Sequence, residues 1–253
     1  MSAWIGIDIG GTNIKIATVS VSGEVLERGV VETRQGDGPV PAFRAIHDAA
    51  RYLAGRRSIG GVGIGCAGLI DAHRGILRES PNLPAWRGAP LARIARTHFR
   101  LPVRLENDAT SAALGESFVR GERGRDLVFI TLGTGVGGGI VAGGRVVRGA
   151  TGFGGEIGHM TVDPNGPACR CGSRGCLEAY AGAYGIVRAA REAAQSRGRT
   201  RGPLARRLSG RDVCARDVLD AARRGDPVGR AAARVVGEHL GLAIASLLNV
   251  LNP

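Results

Sequence analysis

The feature that most constrains the fold is a pattern of strand, glycine turn and β-hairpin that occurs twice, about 120 residues apart. The first copy covers residues 4–20, and the second covers 127–147, where LVFITL leads into a glycine loop at 133–139. Apolar and polar residues that alternate on both sides of a turn are typical of hairpins. The repetition predicts two similar α/β halves, and the charged, glycine-bearing stretch at 120–125 predicts the boundary between them.

We therefore expect an N-terminal α/β domain at 1–120 and a C-terminal α/β domain at 121–253. Periodic apolar residues predict the helices, and two further apolar runs predict buried strands. The predicted helices are 41–54, 88–98, 109–119, 177–195, 212–223 and 227–250, and the further strands are 62–66 and 101–105. Asp226 and Pro227 are a favourable start for the last helix, because aspartate caps a helix and proline suits its first position.

The overall composition excludes intrinsic disorder and a secreted disulfide scaffold. The chain is 43% hydrophobic and 22% charged, its mean hydropathy is +0.02, and 42 of its 253 residues are glycine. No apolar run approaches the ~20 residues of a membrane span, and the N-terminus does not resemble a signal peptide. We expect a cytoplasmic protein with no membrane partner.

The net charge of +12 raises the question of a nucleic-acid partner. Only one basic residue is lysine, and residues 188–234 hold 13 arginines against 5 acidic residues in stretches that are typical of solvated helices. The chain has only 2 Trp, 3 Tyr and 5 Phe with which to stack bases. We interpret the basicity as surface composition and expect no specific nucleic-acid binding.

The first glycine turn is a candidate phosphate site. Its motif comprises Asp8, Gly10, Gly11, Thr12, Asn13 and Lys15. Consecutive glycines expose backbone N–H groups that can line a phosphate, and a carboxylate such as Asp8 can hold Mg²⁺ directly or through water. The alternative is a tight hairpin turn without a ligand. The motif is neither a Walker A sequence nor a Rossmann fingerprint, because no Gly-Lys-Ser/Thr occurs and no helix follows.

The second glycine turn, LGTGVGGG, supplies the counterpart in the other half. Its candidate phosphate-binding residues are Gly133, Thr134, Gly135 and Gly137. The glycine spacing alone is weak evidence, but one such turn in each half suggests a clamp on a polyphosphate.

Asn107 and Asp108 stand at the junction of a predicted strand and a predicted helix. Open α/β sheets bind ligands at the carboxyl ends of their strands. Asp108 could there take a proton from a substrate hydroxyl as a general base, while Asn107 orients that hydroxyl. The alternative is that Asp108 only caps the helix.

A histidine and three clustered cysteines form the strongest motif. The candidate metal ligands are His159, Cys169, Cys171 and Cys176. This set predicts a closed, tetrahedral zinc site with a structural role, since no position remains for water. We expect the other two cysteines, Cys66 and Cys214, to lie in the core.

Glu156 and Glu178 flank the predicted zinc loop. If zinc fixes the loop, both carboxylates are held rigidly and can accept hydrogen bonds from vicinal hydroxyl groups. The alternative is that both are solvated surface acids.

These motifs together resemble the ROK family of repressors, open reading frames and sugar kinases, and within it the bacterial glucokinases. The resemblance runs from about residue 3 to the end of the chain. It is carried, in family order, by DIGGTNIK, GIGCAGLID, SPNLPAW, LENDATSAALGE, TLGTGVGGGIVAGGRVVRGATGFGGEIGH and CRCGSRGCLEAYAG.

The resemblance implies an actin-like, ribonuclease-H-like fold with a sugar and ATP in a cleft between two domains. It implies phosphorylation of a hexose 6-hydroxyl, with glucose as the first candidate and Asp108 as the general base. Asn107, Glu156, His159 and Glu178 would bind sugar hydroxyls, and His159 with the three cysteines would hold zinc. The turns at 10–13 and 133–137 would hold the ATP phosphates, with Mg²⁺ near Asp8.

The resemblance leaves alternatives open. N-acetylmannosamine, N-acetylglucosamine and fructose compete with glucose, polyphosphate competes with ATP, and a homodimer is compatible because dimers are common in the family. A repressor of the same family would need a helix-turn-helix before the first strand, which starts by residue 4.

The end of the chain is the main departure from the family. The family continues beyond Asn252 and Pro253 with a strand, an adenosine-binding turn and closing helices. We therefore expect a C-terminally short chain with an exposed sheet edge and an unburied face on its last helix. A sugar-binding remnant without catalysis is the corresponding alternative function.

Overall fold

The computed structural model describes residues 2–196, 202–208 and 213–253. Its strands are β1 (Ser2–Ile9), β2 (Asn13–Ser20), β3 (Val25–Glu32), β4 (Ser58–Cys66), β5 (Leu69–Asp71), β6 (Ile76–Glu79), β7 (Val103–Asn107), β8 (Leu127–Leu132), β9 (Val136–Ala142) and β10 (Arg145–Val146). Its helices are α1 (Pro39–Ala54), α2 (Leu91–Phe99), α3 (Asp108–Arg120), α4 (Leu177–Ala181), α5 (Ala183–Ser196), α6 (Pro203–Leu208), α7 (Ala215–Arg223) and α8 (Pro227–Leu251).

The chain divides into two compact units. The first comprises the residues up to Phe129 together with Gly139–Gly155, and the second comprises Ile130–Gly138 and Glu156–Pro253. The strands β8 and β9 each carry the chain from one unit into the other. The domain boundary at 120/121 stays a prediction.

The first unit is built on a five-stranded sheet with the order β3-β2-β1-β4-β7. The β1–β2 and β2–β3 pairs are antiparallel, as a meander requires, whereas β1–β4 and β4–β7 are parallel. Alternate residues of β1 are buried, so one face of the sheet packs on the hydrophobic core with α1 and α2. The largest fully buried side chains of this core include Trp86, Phe43 and Ile46.

The helices of the second unit pack around α8, which contacts α4, α5 and α7. Asp226 caps α8 by accepting hydrogen bonds from the backbone N–H groups of Val228 and Gly229, and Pro227 occupies its first turn. This start of α8 confirms the sequence prediction. Val236 and Leu247 are among the residues that α8 buries.

The sequence prediction was wrong for several elements. The helix expected across 177–195 is divided at Gly182, whose extended backbone separates α4 from α5. A Cβ at Gly182 would lie 2.8 Å from the carbonyl oxygen of Glu178, so the close packing here requires glycine. The β5–β6 hairpin and α6 were not predicted.

The expected glycine loop at 133–139 is also shorter than predicted, because β9 begins at Val136. Gly138 and Gly139 are strand residues that pack closely, and a Cβ on each would collide with Ile157 and Ala113, respectively. Gly137, a predicted member of the phosphate-binding turn, is therefore part of β9.

The helix α8 corrects the expectation about apolar runs. Its 25 residues contain an 18-residue window with a mean hydropathy of 1.4, of which 22% is buried. By length and composition alone this helix could cross a membrane, although one such helix is weak evidence because core helices pass the same test. The sequence prediction of an unburied face on the last helix agrees with the exposure of Leu242, Leu248 and Val250.

Candidate functional site

The first glycine turn is held by hydrogen bonds from its own unit. The backbone N–H of Gly10 donates to the carbonyl of Asn13 at 3.2 Å, and the hydroxyl of Thr33 donates to the carbonyl of Gly10 at 2.8 Å. A Cβ at Gly11 would lie 2.8 Å from the side chain of Asn82, so this approach requires glycine. The contacts with Thr33 and Asn82 thus fix the turn, while Thr12 and Asn13 are exposed.

Asp8 and Lys15 are register partners on β1 and β2, at the open end of this turn. The Lys15 Nζ lies 3.2 Å from the Asp8 carboxylate, and both side chains are more than half exposed. Such an exposed pair adds little stability, so the carboxylate and the ammonium group remain available to a ligand.

The parallel register places three positions side by side on one face of the sheet. Asp8 pairs with Gly65 of β4, and Gly65 pairs with Glu106 of β7. Residues that are paired in register point to the same face of a sheet. Since a Cβ at Gly65 would lie 3.5 Å from the Cα of Asp108 and 3.2 Å from the Ser111 hydroxyl, glycine here lets α3 begin close to the two acidic residues.

Asn107 is the N-cap of α3, and Asp108 is the first residue of the helix. The Oδ1 of Asn107 accepts a hydrogen bond from the N–H of Thr110 at 3.1 Å, and its Nδ2 donates to the carbonyl of Gly68 at 3.1 Å. The interpretation of Asp108 as the helix cap is therefore wrong, because Asn107 already fills that role.

Burial around the carboxylate raises the pKa of Asp108, although the residue keeps a solvent-accessible side. The negative charge of Asp8 adds to this rise, and a hydrogen bond from the N–H of Ala109 at 2.9 Å opposes it. A carboxylate with a raised pKa is a stronger base, which suits it to accept a proton from a hydroxyl group.

The second glycine turn is tied to Glu178. The N–H of Gly133 donates to the carbonyl of Gly135 at 2.9 Å, and the N–H of Val136 donates to Oε2 of Glu178 at 3.1 Å. A Cβ at Gly135 would collide with the same carboxylate. The N–H of Ala183 donates to the carbonyl of Gly133 at 3.1 Å, so the break between α4 and α5 also supports the turn.

The four predicted metal ligands come together in the second unit. One donor atom from each of His159, Cys169, Cys171 and Cys176 lies within 4.8 Å of the other three. The Sγ atoms of Cys171 and Cys176 are 3.7 Å apart, close to the edge of about 3.8 Å expected for two thiolates on one tetrahedral zinc ion. The Nδ1 of His159 lies 3.9 Å from the Sγ of Cys169. The chemistry and spacing of this donor set fit zinc.

The surroundings of the cluster shift the pKa values of Cys169 and Cys176 in opposite directions. Burial opposes ionisation of Cys169, but hydrogen bonds from the backbone of Cys171, from the Tyr184 hydroxyl and from the neighbouring thiols lower its pKa to about 7. Burial and the other two thiols raise the pKa of Cys176 to about 12. The Tyr184 hydroxyl, 3.7 Å from the Sγ of Cys169, is a neighbour that the sequence did not indicate, because only the fold brings α5 to the loop.

Glu156 and His159 bound a single 3₁₀ turn that the second unit presents to solvent. The N–H of His159 donates to the carbonyl of Glu156 at 3.0 Å. Glu178, by contrast, is half-buried at the start of α4.

The structure thus groups the predicted site residues within each unit. The first unit holds Asp8, the turn at 10–13, Lys15, Asn107 and Asp108, and the second holds the turn at 133–137, Glu156, Glu178 and the metal cluster. The sequence did not indicate that Glu178 supports the glycine turn or that Arg148 pairs with Glu106. The one sequence signal for the Arg148 pair was Glu106 itself, an acidic residue two positions before Asp108.

The comparisons with known proteins agree on one family. Residues 4–253 match the ROK family. The glucokinase of Thermotoga maritima is 38% identical over 252 residues, which are 98% of this chain and 78% of that protein.

Two solved structures are similar over nearly the whole chain. A ROK hexokinase from Thermus thermophilus matches with a TM-score of 0.83 at 35% identity, covering 99% of this chain and 79% of that one. A ROK family glucokinase from Streptomyces griseus, solved with glucose and AMPPNP, matches with a TM-score of 0.76 at 36% identity, covering 99% and 80%. These relatives have the actin-like ATPase fold, which this chain shares. The chain belongs to the ROK family.

Proposed function

We propose that the protein is a hexose kinase that transfers the γ-phosphoryl group of ATP to the 6-hydroxyl of glucose. The observation that carries the proposal is the placement of Asp108 at the start of α3, with its pKa raised. The identity of 38% to a glucokinase and 36% to a glucokinase solved with glucose and AMPPNP supports glucose and ATP as the substrates.

In the proposed reaction, Asp108 accepts the proton of the 6-hydroxyl as the sugar oxygen attacks the γ-phosphorus. The bond between that phosphorus and the β–γ bridging oxygen breaks, and ADP leaves. The Oδ1 and one N–H of Asn107 are occupied by Thr110 and Gly68, so its second amide N–H is the group that orients the sugar hydroxyl. Phosphoryl transfer relies mainly on such positioning and on charge neutralisation.

The two glycine turns are the proposed phosphate sites, through Gly10, Gly11, Thr12, Asn13 and Lys15 and through Gly133, Thr134, Gly135 and Gly137. Asp8 is the proposed ligand of Mg²⁺, directly or through water, and this ion would neutralise the charge of the phosphates. The contact between Asp8 and Lys15 would then be exchanged for contacts to Mg²⁺ and phosphate.

Glu156, His159 and Glu178 are the proposed ligands of the sugar hydroxyls. The Nδ1 of His159 faces Cys169, which leaves its Nε2 for a hydroxyl group. His159, Cys169, Cys171 and Cys176 would hold zinc in a structural role, because four protein donors fill a tetrahedral site. Zinc held there would fix the tautomer of His159.

An assay of ADP release tests the proposal. Glucose, fructose, N-acetylglucosamine and N-acetylmannosamine are compared as acceptors, with ATP and with inorganic polyphosphate as donors. We expect the highest kcat/KM for glucose with ATP. A folded chain that turns over none of these sugars contradicts the proposal, and calorimetry that detects glucose but no nucleotide would instead favour a sugar-binding protein without catalysis.

The cellular setting is also a proposal. Three clustered free thiols are typical of a reducing compartment, so we place the protein in the cytoplasm. A homodimer stays a prediction, which sedimentation velocity with and without glucose can test.

A further inference from the structure

A charged pair behind Asp108 is not used by the proposed reaction. The Nη2 and Nε of Arg148 lie 2.7 and 2.9 Å from Oε2 of Glu106, whose side chain is only 12% exposed. Both residues belong to the first unit, where Arg148 follows β10 and Glu106 belongs to β7. Two charged hydrogen bonds to a nearly buried carboxylate are stronger and more specific than an ordinary surface pair.

The other carboxylate oxygen of Glu106 connects this ion pair to Asn107, the residue before the proposed base. Its Oε1 accepts a hydrogen bond from the N–H of Asn107 at 3.1 Å. Asn107 in turn caps α3 and is bound to the carbonyl of Gly68. The guanidinium group of Arg148 thus holds the carboxylate that fixes the peptide immediately before Asn107 and Asp108.

The charges around Asp108 give this pair a second role. Asp8 and Glu106 share a sheet face on either side of Gly65, over which α3 begins with Asp108. The negative charge of Asp8 is one cause of the raised pKa of Asp108, and an unpaired Glu106 carboxylate on the same sheet face would add to it, because nearby like charges raise a carboxyl pKa. Within the described part of the chain, the cations paired with these acidic residues are Lys15, at Asp8, and Arg148, at Glu106.

We propose that Arg148 is a positioning residue for catalysis, which holds Glu106 so that Asn107 and Asp108 are correctly oriented and which cancels the carboxylate charge beside the base. This inference rests on the proposed function, in which Asp108 is the base. It does not assign Arg148 a contact with the sugar or with ATP.

Kinetics of five variants separate this role from that of a simple structural link. R148M removes the positive charge of Arg148, and R148K conserves it. E106Q removes the negative charge of Glu106, and E106Q/R148M removes both charges. R145M changes an exposed arginine of the same hairpin and is the control. We expect R148M to lower kcat roughly 10- to 100-fold, with a smaller change in the KM for glucose, because misplaced reacting groups cost about this much. R148K should recover part of the loss, and R145M should behave as wild type.

The pH dependence gives the readout that a structural link would not change. In R148M the uncompensated Glu106 carboxylate raises the pKa of Asp108, so the acidic limb of kcat/KM moves to higher pH. In E106Q/R148M no such charge remains, and the limb returns toward its wild-type position. Asp8 on β1, whose charge acts on Asp108, and the buried Cys66 thiol on β4, which is affected by the Asp108 charge, are present in every variant and do not produce this difference.

Carbon-13 NMR of the Asp108 carboxyl group measures the same titration without substrate. A higher Asp108 pKa in R148M than in wild type and in E106Q/R148M supports the proposal. Identical titrations, or a kcat in R148M equal to that of wild type, would overturn it. If R148M does not fold, E106Q makes the comparison, because its unpaired Arg148 guanidinium should lower the pKa of Asp108 below the wild-type value. A wild type that phosphorylates no sugar refutes the proposed function, and the NMR titration still decides the role of Arg148.

Discussion

At the scale of single residues, the division of labour between Asn107 and Asp108 is the central result. An aspartate after a strand is ambiguous in sequence, because it can cap a helix or act on a ligand. The structure assigns the cap to Asn107, and the Asp108 carboxylate accepts a hydrogen bond from the N–H of Ala109 without serving as the cap. The proposed base is therefore a residue that the helix does not need.

The substitution Asp108→Asn tests this assignment directly. Because the amide cannot accept the proton, we expect kcat to fall about 10²–10⁴-fold. The helix should persist, since Asn107 still caps it, and circular dichroism with glucose-binding calorimetry checks this. Near-normal turnover in the variant would remove Asp108 from the role of base.

The raised pKa of Asp108 also predicts how stability depends on pH. A carboxyl group whose pKa is higher in the folded than in the unfolded state contributes stability below its unfolded pKa of about 3.9, and this contribution is lost as pH rises through the folded pKa. Asp108→Asn has no such loss, so its Tm relative to wild type should be more favourable at pH 7 than at pH 4. Melting curves at both pH values measure this, and an opposite trend would contradict the shift in pKa.

At the scale of elements, the sequence predicted what depends on local periodicity. The meander β1–β3 and the helices α1 and α3 were found because alternating or helical apolar patterns mark their buried faces. The hairpin β5–β6 was missed because its strands have only three and four residues. The break at Gly182 was missed because its cause is the packing of Gly182 against Glu178, which only the fold creates.

The same limit applies to the candidate site. The histidine and cysteines could be found from their spacing, because metal ligands of one loop lie close together in sequence. Cys214 was expected in the core, but it is exposed at the N-cap of α7, where its position at a helix end decides its environment. The contact between Glu178 and the glycine turn joins residues 42 positions apart, so no local pattern indicated it.

The substitution Gly135→Ala tests the coupling of the second glycine turn to Glu178. The new methyl group would displace the carboxylate of Glu178, so both the turn and this proposed sugar ligand should move. We expect the KM values for glucose and for ATP to rise together, about tenfold, as for the loss of one well-placed interaction. Gly241→Ala in α8, where a Cβ meets nothing within 4 Å, is the control. A rise in the KM for ATP alone would show that Glu178 does not bind sugar.

The metal cluster is tested by removing one thiol. We expect purified protein to contain about one zinc per chain, and Cys169→Ser to lose the metal and lower the Tm, because the cluster ties the loop together. Cys214→Ser is a matched control, since its exposed thiol lies outside the cluster and serine also caps helices. Metal analysis and melting curves measure both effects. Metal-free wild type with the same Tm as a zinc-treated sample would exclude a structural zinc.

At the scale of the whole molecule, the repeated strand–turn–hairpin pattern predicted how the glycine turns connect the strands. Both glycine turns connect strands rather than a strand and a helix, as the sequence predicted. The pattern could not show that β8 and β9 are each shared between the two compact units. Each strand is divided because its two ends contact different units, and the order of motifs along the sequence does not contain this information.

The exposed apolar face of α8 leads to a prediction about the behaviour of the molecule in solution. Leu242, Leu248 and Val250 are 55%, 52% and 80% exposed, whereas the adjacent Leu247 is 8% exposed. Exposed apolar patches promote association, so Leu242→Gln/Leu248→Gln should reduce concentration-dependent self-association with little change in Tm. Leu247→Gln should lower the Tm strongly, because it buries an amide in the core.

Sedimentation velocity over a range of concentrations measures the self-association, and melting curves measure the Tm. Flotation with phosphatidylcholine vesicles measures membrane binding. If the double variant melts as low as Leu247→Gln, the face is buried in solution, which contradicts the prediction. If wild type floats with the vesicles and the double variant does not, the face binds membrane. We expect neither result, because Arg230, Arg234 and Glu238 are exposed along the first half of the same helix and charged groups oppose insertion.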